Sequence, residues 1–301
     1  MKTNQLNRLA AALLLAGATS LLAFPAGAAG QKSFPTPEAA MEAFEQALID
    51  QDEPAKRALL GPDFRKAIPP LGDDARYQFL EAWARAHRIQ SEDERTARIA
   101  VGDKGWTMPI PLVKTASGWR FDMKAGEQEM RLRQIGRNEL SVIEAVKAYV
   151  DAQKEYAQTD RDGDGVLEYA TRITSTPGKQ DGLYWSGSAT TGASPLGKLF
   201  AEAESSRKVS GTLYGYRYRI LTAQGPAASG GARDYMAGGG MTGGFALIAW
   251  PAEYNRTGVM SFIINQDGQV FERNLGPATA QEAGRIRTFN PDSTWRKVDN
   301  P

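Results

Sequence analysis

Apolar residues along this chain first recur at helical spacing and then fall into short runs between turns, and that order of patterns occurs twice. Met41, Phe44 and Leu48 are three and four residues apart, which puts them on one helical face. Thr36 stands in N-cap position before them, and Pro37 suits a first helical turn. Asp52-Glu53-Pro54 interrupts this helix, and Ala58-Leu59-Leu60 completes a second before Gly61-Pro62. Tyr77, Leu80, Trp83 and Ala84 predict a third helix from Tyr77 to His87. After Ser91 the period changes. Residues 96–101, 106–114 and 118–123 read as strands, with Lys104-Gly105 and Ser117-Gly118 supplying turns.

The second round opens with a charged stretch, 126–138, expected as a linker. Leu140, Ile143, Val146, Tyr149, Val150 and Tyr156 then mark the apolar stripe of a long helix over 139–157. Strands follow at 214–222, 244–250, 258–264 and 269–273. Asp267-Gly268 between the last two is a strong hairpin signal. The tail around Trp295 reads as a closing strand. Helices followed by antiparallel strands predict an α+β fold in each half.

The first 28 residues carry the pattern of a secretory signal. Lys2 and Arg8 precede an apolar run from Leu9 to Phe24, and Ala26-Gly27-Ala28 is a small-x-small cleavage site. That run is about 16 residues and holds Gly17, Thr19 and Ser20, so it is short for a membrane span. The expected organisation is a signal at 1–28, an N-terminal α+β domain at 31–125, the linker, and a C-terminal α+β domain at 139–298. The expected location is periplasmic or secreted, with no membrane span after cleavage. Losing Lys2 and Arg8 leaves 34 basic against 35 acidic groups, a net charge of −1. That balance argues against nucleic acid as a partner. There is no cysteine, so no disulfide, thiol nucleophile or thioether anchor is available.

Residues 31–298 resemble an uncharacterised bacterial exported family, domain of unknown function 2950. The resemblance lies in Phe34-Pro35-Thr36-Pro37-Glu38, Ile135-Gly136-Arg137-Asn138-Glu139-Leu140 and Tyr149-Val150-Asp151-Ala152-Gln153. It continues through residues 160–169, Ser175-Thr176-Pro177-Gly178-Lys179, Asp181-Gly182-Leu183-Tyr184-Trp185, Leu221-Thr222-Ala223-Gln224-Gly225 and residues 245–254. It implies export and a shared fold, and it carries no activity. Two fold analogies stand beside it. The Phe34–Leu60 helix pair and the Ile110–Phe121 hairpin are similar to cystatin-like and nuclear-transport-factor-like domains. Residues 139–275 resemble the soluble head of type IV pilins and pseudopilins, although here a whole domain precedes the helix where a pilin carries its apolar stalk.

The sharpest chemical signal is Asp160-x-Asp162-x-Asp164-Gly165-x-x-Glu168. Calcium takes six to eight oxygen ligands, and alternating acids around a glycine turn deliver them to one point. Asp160, Asp162 and Asp164 occupy the first three ligand positions of an EF-hand-type loop. Val166 would offer its carbonyl, and Glu168 would ligate directly or through water. The twelfth position is Thr171 rather than the bidentate glutamate, with Asp181 a candidate to complete the shell. The alternative is a solvated acidic turn partly neutralised by Arg161 and Arg172.

Other signals are weaker. His87 is the only histidine, which excludes multi-histidine zinc sites, and it is expected at a basic helix end. Ser205-x-x-Lys208 has the serine–lysine spacing of penicillin-recognising enzymes without their partner motifs. Residues 225–244 hold eight glycines and no phosphate-loop lysine, and are expected as a mobile loop. Tyr184-Trp185, Tyr214-Gly215-Tyr216 and Trp250 suit either core packing or stacking on sugars. No motif names a nucleophile. The expectation is a non-catalytic, calcium-ordered module of the bacterial envelope that binds a protein or polysaccharide. The alternative is a carboxylate-based hydrolase of envelope polysaccharide or peptide, for which the 35 acids offer no way to choose a pair.

Overall fold

The computed structural model describes residues 30–70, 72–185, 192–197 and 212–299. The chain divides into two compact units, residues 1–123 and 124–301. Both mix helices with antiparallel sheet, so the fold class is α+β.

The first unit opens with α1 (Pro37–Ile49), α2 (Glu53–Leu60), α3 (Phe64–Ala67) and α4 (Asp73–Arg85). Thr36 caps α1, its hydroxyl accepting from the Ala39 N–H at 3.1 Å, and Asp52 caps α2 through Ala55 at 2.9 Å. Strands β1 (His87–Ser91), β2 (Thr96–Val101), β4 (Leu112–Thr115) and β5 (Gly118–Phe121) form the sheet in that order, with β3 (Trp106–Thr107) pairing β2. The core unites Phe44, Leu59, Phe64, Trp83, Ile99, Leu112 and Phe121. Gly118 lies at φ 114°, and a side chain there would collide with the Phe34 carbonyl, which pairs with Trp119.

Two expectations change here. The strand predicted over 106–114 is broken, because Pro109 and Pro111 cannot donate to a ladder. His87, expected at the end of the third helix, instead opens strand β1, which pairs with β2 along its whole length.

Glu53 at the start of α2 accepts from Arg65 Nε at 3.0 Å and Lys56 Nζ at 3.1 Å. These bonds hold its carboxyl at about 2, against an ordinary value of 4.5. A lowered carboxylate stabilises the fold above its unfolded value and loses that contribution as pH falls through the folded one. Glu53→Gln is expected to be less stable than wild type at pH 7, with the gap closing between pH 4.5 and 2 in thermal melts. A gap independent of pH would contradict this assignment.

The second unit is built on α5 (Met123–Tyr156), 34 residues long, whose first residue closes the first unit. The charged stretch 126–138, expected as a linker, is continuous helix. Glu129 and Arg133, both half-buried, pair one turn apart at 2.7 Å, as opposite charges at this helical spacing do. Leu140, placed on the buried stripe by periodicity, is 56% exposed. The stripe that packs is Val142, Ile143, Val146, Tyr149, Val150, Gln153 and Tyr156.

Further strands are β6 (Tyr216–Leu221), β7 (Ala223–Gln224), β8 (Arg233–Asp234), β9 (Met236–Ala237), β10 (Gly240–Met241), β11 (Ala246–Pro251), β12 (Met260–Asn265), β13 (Phe271–Asn274) and β14 (Arg296–Lys297). A short helix, α6 (Thr279–Arg285), sits between β13 and β14. The main sheet runs β14-β13-β12-β11-β6, antiparallel throughout. The Asp267-Gly268 hairpin joins β12 to β13, with Gly268 at φ 77°. One face, including Tyr216 and Phe262, looks toward α5: the Tyr216 hydroxyl meets Glu139 of that helix. The other is met by α6 and the segment after it, where Phe271 packs edge-on against Phe289.

Candidate metal centre

The acidic loop leaves α5 at Tyr156 and is anchored at its far end by Gln153, one turn back on the same helix. Gln153 is fully buried. Its amide donates to the Ala170 carbonyl at 2.8 Å, and its oxygen accepts from the Ala170 N–H at 2.8 Å. A side chain thus pairs with Ala170 as a neighbouring strand would. The Tyr169 N–H donates to the Met241 carbonyl at 2.9 Å, and the Tyr169 ring lies edge-on to Phe245. Both ends of 157–169 are therefore fixed in the core, and the loop has little freedom to spread.

Within it, Asp160, Asp162 and Asp164 each offer a carboxylate oxygen, and those oxygens lie within 4.8 Å of one another. Asp160 accepts from the Gly163 and Gly165 N–H groups at 2.8 and 2.9 Å, which holds its carboxyl below the usual range. Asp164 accepts from Val166 N at 2.8 Å. Gly163 and Gly165 take φ of 80° and 87°, the left-handed turns that bring the acids round. Glu168 turns back toward β10, where its carboxylate occupies the space a side chain at Gly240 would need. Burial pushes the Glu168 carboxyl upward, and the charges of Asp162 and Asp164 push it further. Its ionised form is thus disfavoured first by burial and then by the neighbouring acids.

The expected internal counter-charges are engaged elsewhere. The Arg161 guanidinium lies over Tyr156 at 4.7 Å and Trp185 at 5.1 Å, and donates to Gln180 at 3.3 Å. Arg172 donates to the Thr176 hydroxyl at 3.1 Å. Asp181, a candidate further ligand, accepts from Thr176 N and Oγ1 at 2.7 and 2.8 Å and is absorbed in its own turn. Val166 and Thr171 are exposed. Among the described residues no ion pair involves Asp160, Asp162, Asp164 or Glu168.

Elsewhere, the His87 ring stacks on Trp83 at 4.9 Å, and its Nδ1 lies 3.0 Å from the Trp83 carbonyl. The 1–28 segment, Ser205 and Lys208 lie outside the described residues. Tyr216 and Trp185 are buried in the core of the second unit. No helix among the described residues is long and apolar enough to cross a membrane.

The glycine-rich stretch expected as a mobile loop is pinned. Gln224, 2% exposed, donates to the Ser229 and Gly231 carbonyls at 2.9 and 2.6 Å and accepts from the Tyr235 hydroxyl at 2.8 Å. Asn290 accepts from Ala227 N at 2.9 Å, and a side chain at Gly225 would collide with it. At Gly225 glycine serves close approach, whereas Gly230, Gly231, Gly238 and Gly239 take positive φ. Gln224 and Gln153 both stand in the strings that carry the family resemblance, but their roles depend on partners distant in sequence.

The family model described as "Protein of unknown function (DUF2950)" matches residues 31–298, and the chain is a member of that family. No curated protein and no solved structure shows significant similarity to it.

Proposed function

We propose that this protein is a non-catalytic module exported to the bacterial envelope, periplasmic or secreted, whose second unit is ordered by calcium and binds an envelope protein or polysaccharide. The observation that carries the calcium reading is the set of three carboxylate oxygens within 4.8 Å, held by a loop fixed at both ends. Asp160, Asp162 and Asp164 would ligate through side chains, Val166 through its carbonyl, and Glu168 directly or through water. A divalent ion would relieve the repulsion that the arginines leave in place. Export is supported by the apolar leader, and the lack of cysteine and of a nucleophile motif favours binding over catalysis. The helix-then-sheet order of the two units supports a cystatin-like or nuclear-transport-factor-like first domain and a pilin-head-like second one.

A site lacking the bidentate glutamate suits a Kd of ~0.1 mM, as in extracellular modules. At ~1 mM calcium this predicts a melting temperature raised by about 3–6 °C and reversed by chelator. Asp162→Ala is expected to abolish the rise. Identical melting curves for wild type with calcium and with chelator would refute the site. Capture from a periplasmic extract, with and without calcium, tests the binding role, and recovery of no specific partner in either condition counts against it.

A further inference from the structure

The face of the main sheet turned away from Tyr216 and Phe262 carries an unusual row. Strand register places Arg217 of β6 opposite Trp250 of β11, and Arg273 of β13 opposite Ser261 of β12. Continuing the β11–β12 register puts Trp250 opposite Ser261. Side chains of directly opposed residues share a face, so Arg217, Trp250, Ser261 and Arg273 form one line across four strands. Arg219 stands two residues along on the same face, its guanidinium 5.7 Å from the Trp250 ring centroid.

Two polar groups in the middle of this row are unsatisfied. Ser261 is 0% exposed, and its Oγ has no hydrogen-bond partner. The Trp250 Nε1 is also buried without one. An indole N–H can only donate, and a hydroxyl can donate as well as accept, so one acceptor within reach of both would satisfy the two donors. Arginines predominate around them, with the Glu282 and Asp292 carboxylates also near Arg273. The side chains of Arg217 and Arg273 make no hydrogen bond or ion pair among the described residues, although the Asp292 carboxylate feels the charge of Arg273. Arg219 gives its hydrogens to the Ala283 and Ile286 carbonyls, and its charge is disfavoured by burial and then by Arg287. Beside Arg273 a cavity of about 430 Å³ opens, walled by Asn274, Leu275, Glu282, Arg285 and Ile286 among others. The chain as a whole is close to neutral, so this concentration of arginine is local.

We propose that this row is an anion site, taking the carboxylate or phosphate group of a small ligand whose remainder lies in the adjoining cavity. The oxyanion would accept from Trp250 Nε1 and Ser261 Oγ and be neutralised by Arg273, with Arg217 at its other side. Guanidinium groups suit such ligands because their donors match two oxygens at once. The site is independent of the acidic loop and stands whether or not calcium binds there.

The Trp250 indole N–H gives a direct test. In ¹⁵N-labelled protein its cross-peak, assigned with Trp250→Phe, is followed during separate titrations with inorganic phosphate and acetate at constant ionic strength. A saturable shift of that peak in the millimolar range or below with either anion is the expected result, and which one saturates tells the two sources of the group apart. Arg273→Gln is expected to weaken binding about tenfold or more, since it removes a charged hydrogen-bonding partner. Ser261→Ala should weaken it less, while the other indole peaks and the melting temperature of Arg273→Gln stay close to wild type. No saturable shift with either anion, or an equal shift in Arg273→Gln, overturns the proposal.

Discussion

Replacing Gln153 by leucine is expected to destabilise the second unit by about 3–5 kcal/mol, the largest loss expected from any polar residue in it. Leucine matches the volume roughly but can neither donate nor accept. It would leave the N–H and C=O of Ala170, which is 1% exposed, without partners, and remove the donor that Gln153 presents to the Tyr149 hydroxyl at 2.9 Å. Each orphaned buried backbone group costs about 1–3 kcal/mol. Tyr149 would feel the change as well: burial already pushes its phenol above the ordinary range, and its hydroxyl donates to the Ala246 carbonyl at 3.2 Å. Urea denaturation of wild type and Gln153→Leu measures the difference. A loss below about 1 kcal/mol would mean that the Ala170 pairing contributes little and that the acidic loop is not anchored as described. Because the anchor is also what keeps the loop closed, the calcium-dependent rise in melting temperature should shrink in the same variant.

Glu139→Ala is the second large effect, at about 2–4 kcal/mol. One oxygen of Glu139 accepts from the backbone N–H groups of Val259 and Met260 at 2.8 and 2.9 Å, and lies 3.4 Å from the Tyr216 hydroxyl. Next to it, Asn138 donates to the Thr257 carbonyl at 2.8 Å. Together they tie α5 to the start of β12 across about 120 residues of sequence. Hydrogen bonds to a charged acceptor exceed neutral ones, so Glu139→Gln, which keeps the acceptor and loses the charge, should recover more than half of the loss. Tyr216→Phe should cost about 1 kcal/mol, because that hydroxyl's better bond is to the Met260 carbonyl at 2.9 Å. Gln no better than Ala at position 139 would show that packing, not hydrogen bonding, sets the effect.

Much of the framework was legible before any tertiary information. The α1 start at Thr36-Pro37, strand β2 and the β12–β13 hairpin follow from capping chemistry, alternation and turn preference, all of which act within a few residues. The boundaries that went astray have equally local causes. Charged residues over 126–138 suggested a linker because no apolar stripe marks them, yet such residues form helix readily on an exposed face. The β1 strand carries only Ile89 as an apolar residue, so alternation had almost nothing to register. The proline pair at 109 and 111 breaks the ladder locally, a break that the apolar pattern over 106–114 does not register.

By itself, the sequence determined the α+β class, the spacing of Asp160, Asp162 and Asp164, and the chemistry ruled out by one histidine and no cysteine. Those properties depend on residue type and short-range spacing. Only the tertiary structure decided that Gln153 pairs with Ala170, that Arg161 goes to Tyr156 and Trp185 instead of the acids, and that arginines of β6 and β13 stand in one row with a buried tryptophan N–H and serine hydroxyl. In each of these cases a polar group leaves water and must find its complement among atoms far along the chain. Which complement it finds is set by how helix and sheet pack, and no local pattern records that choice.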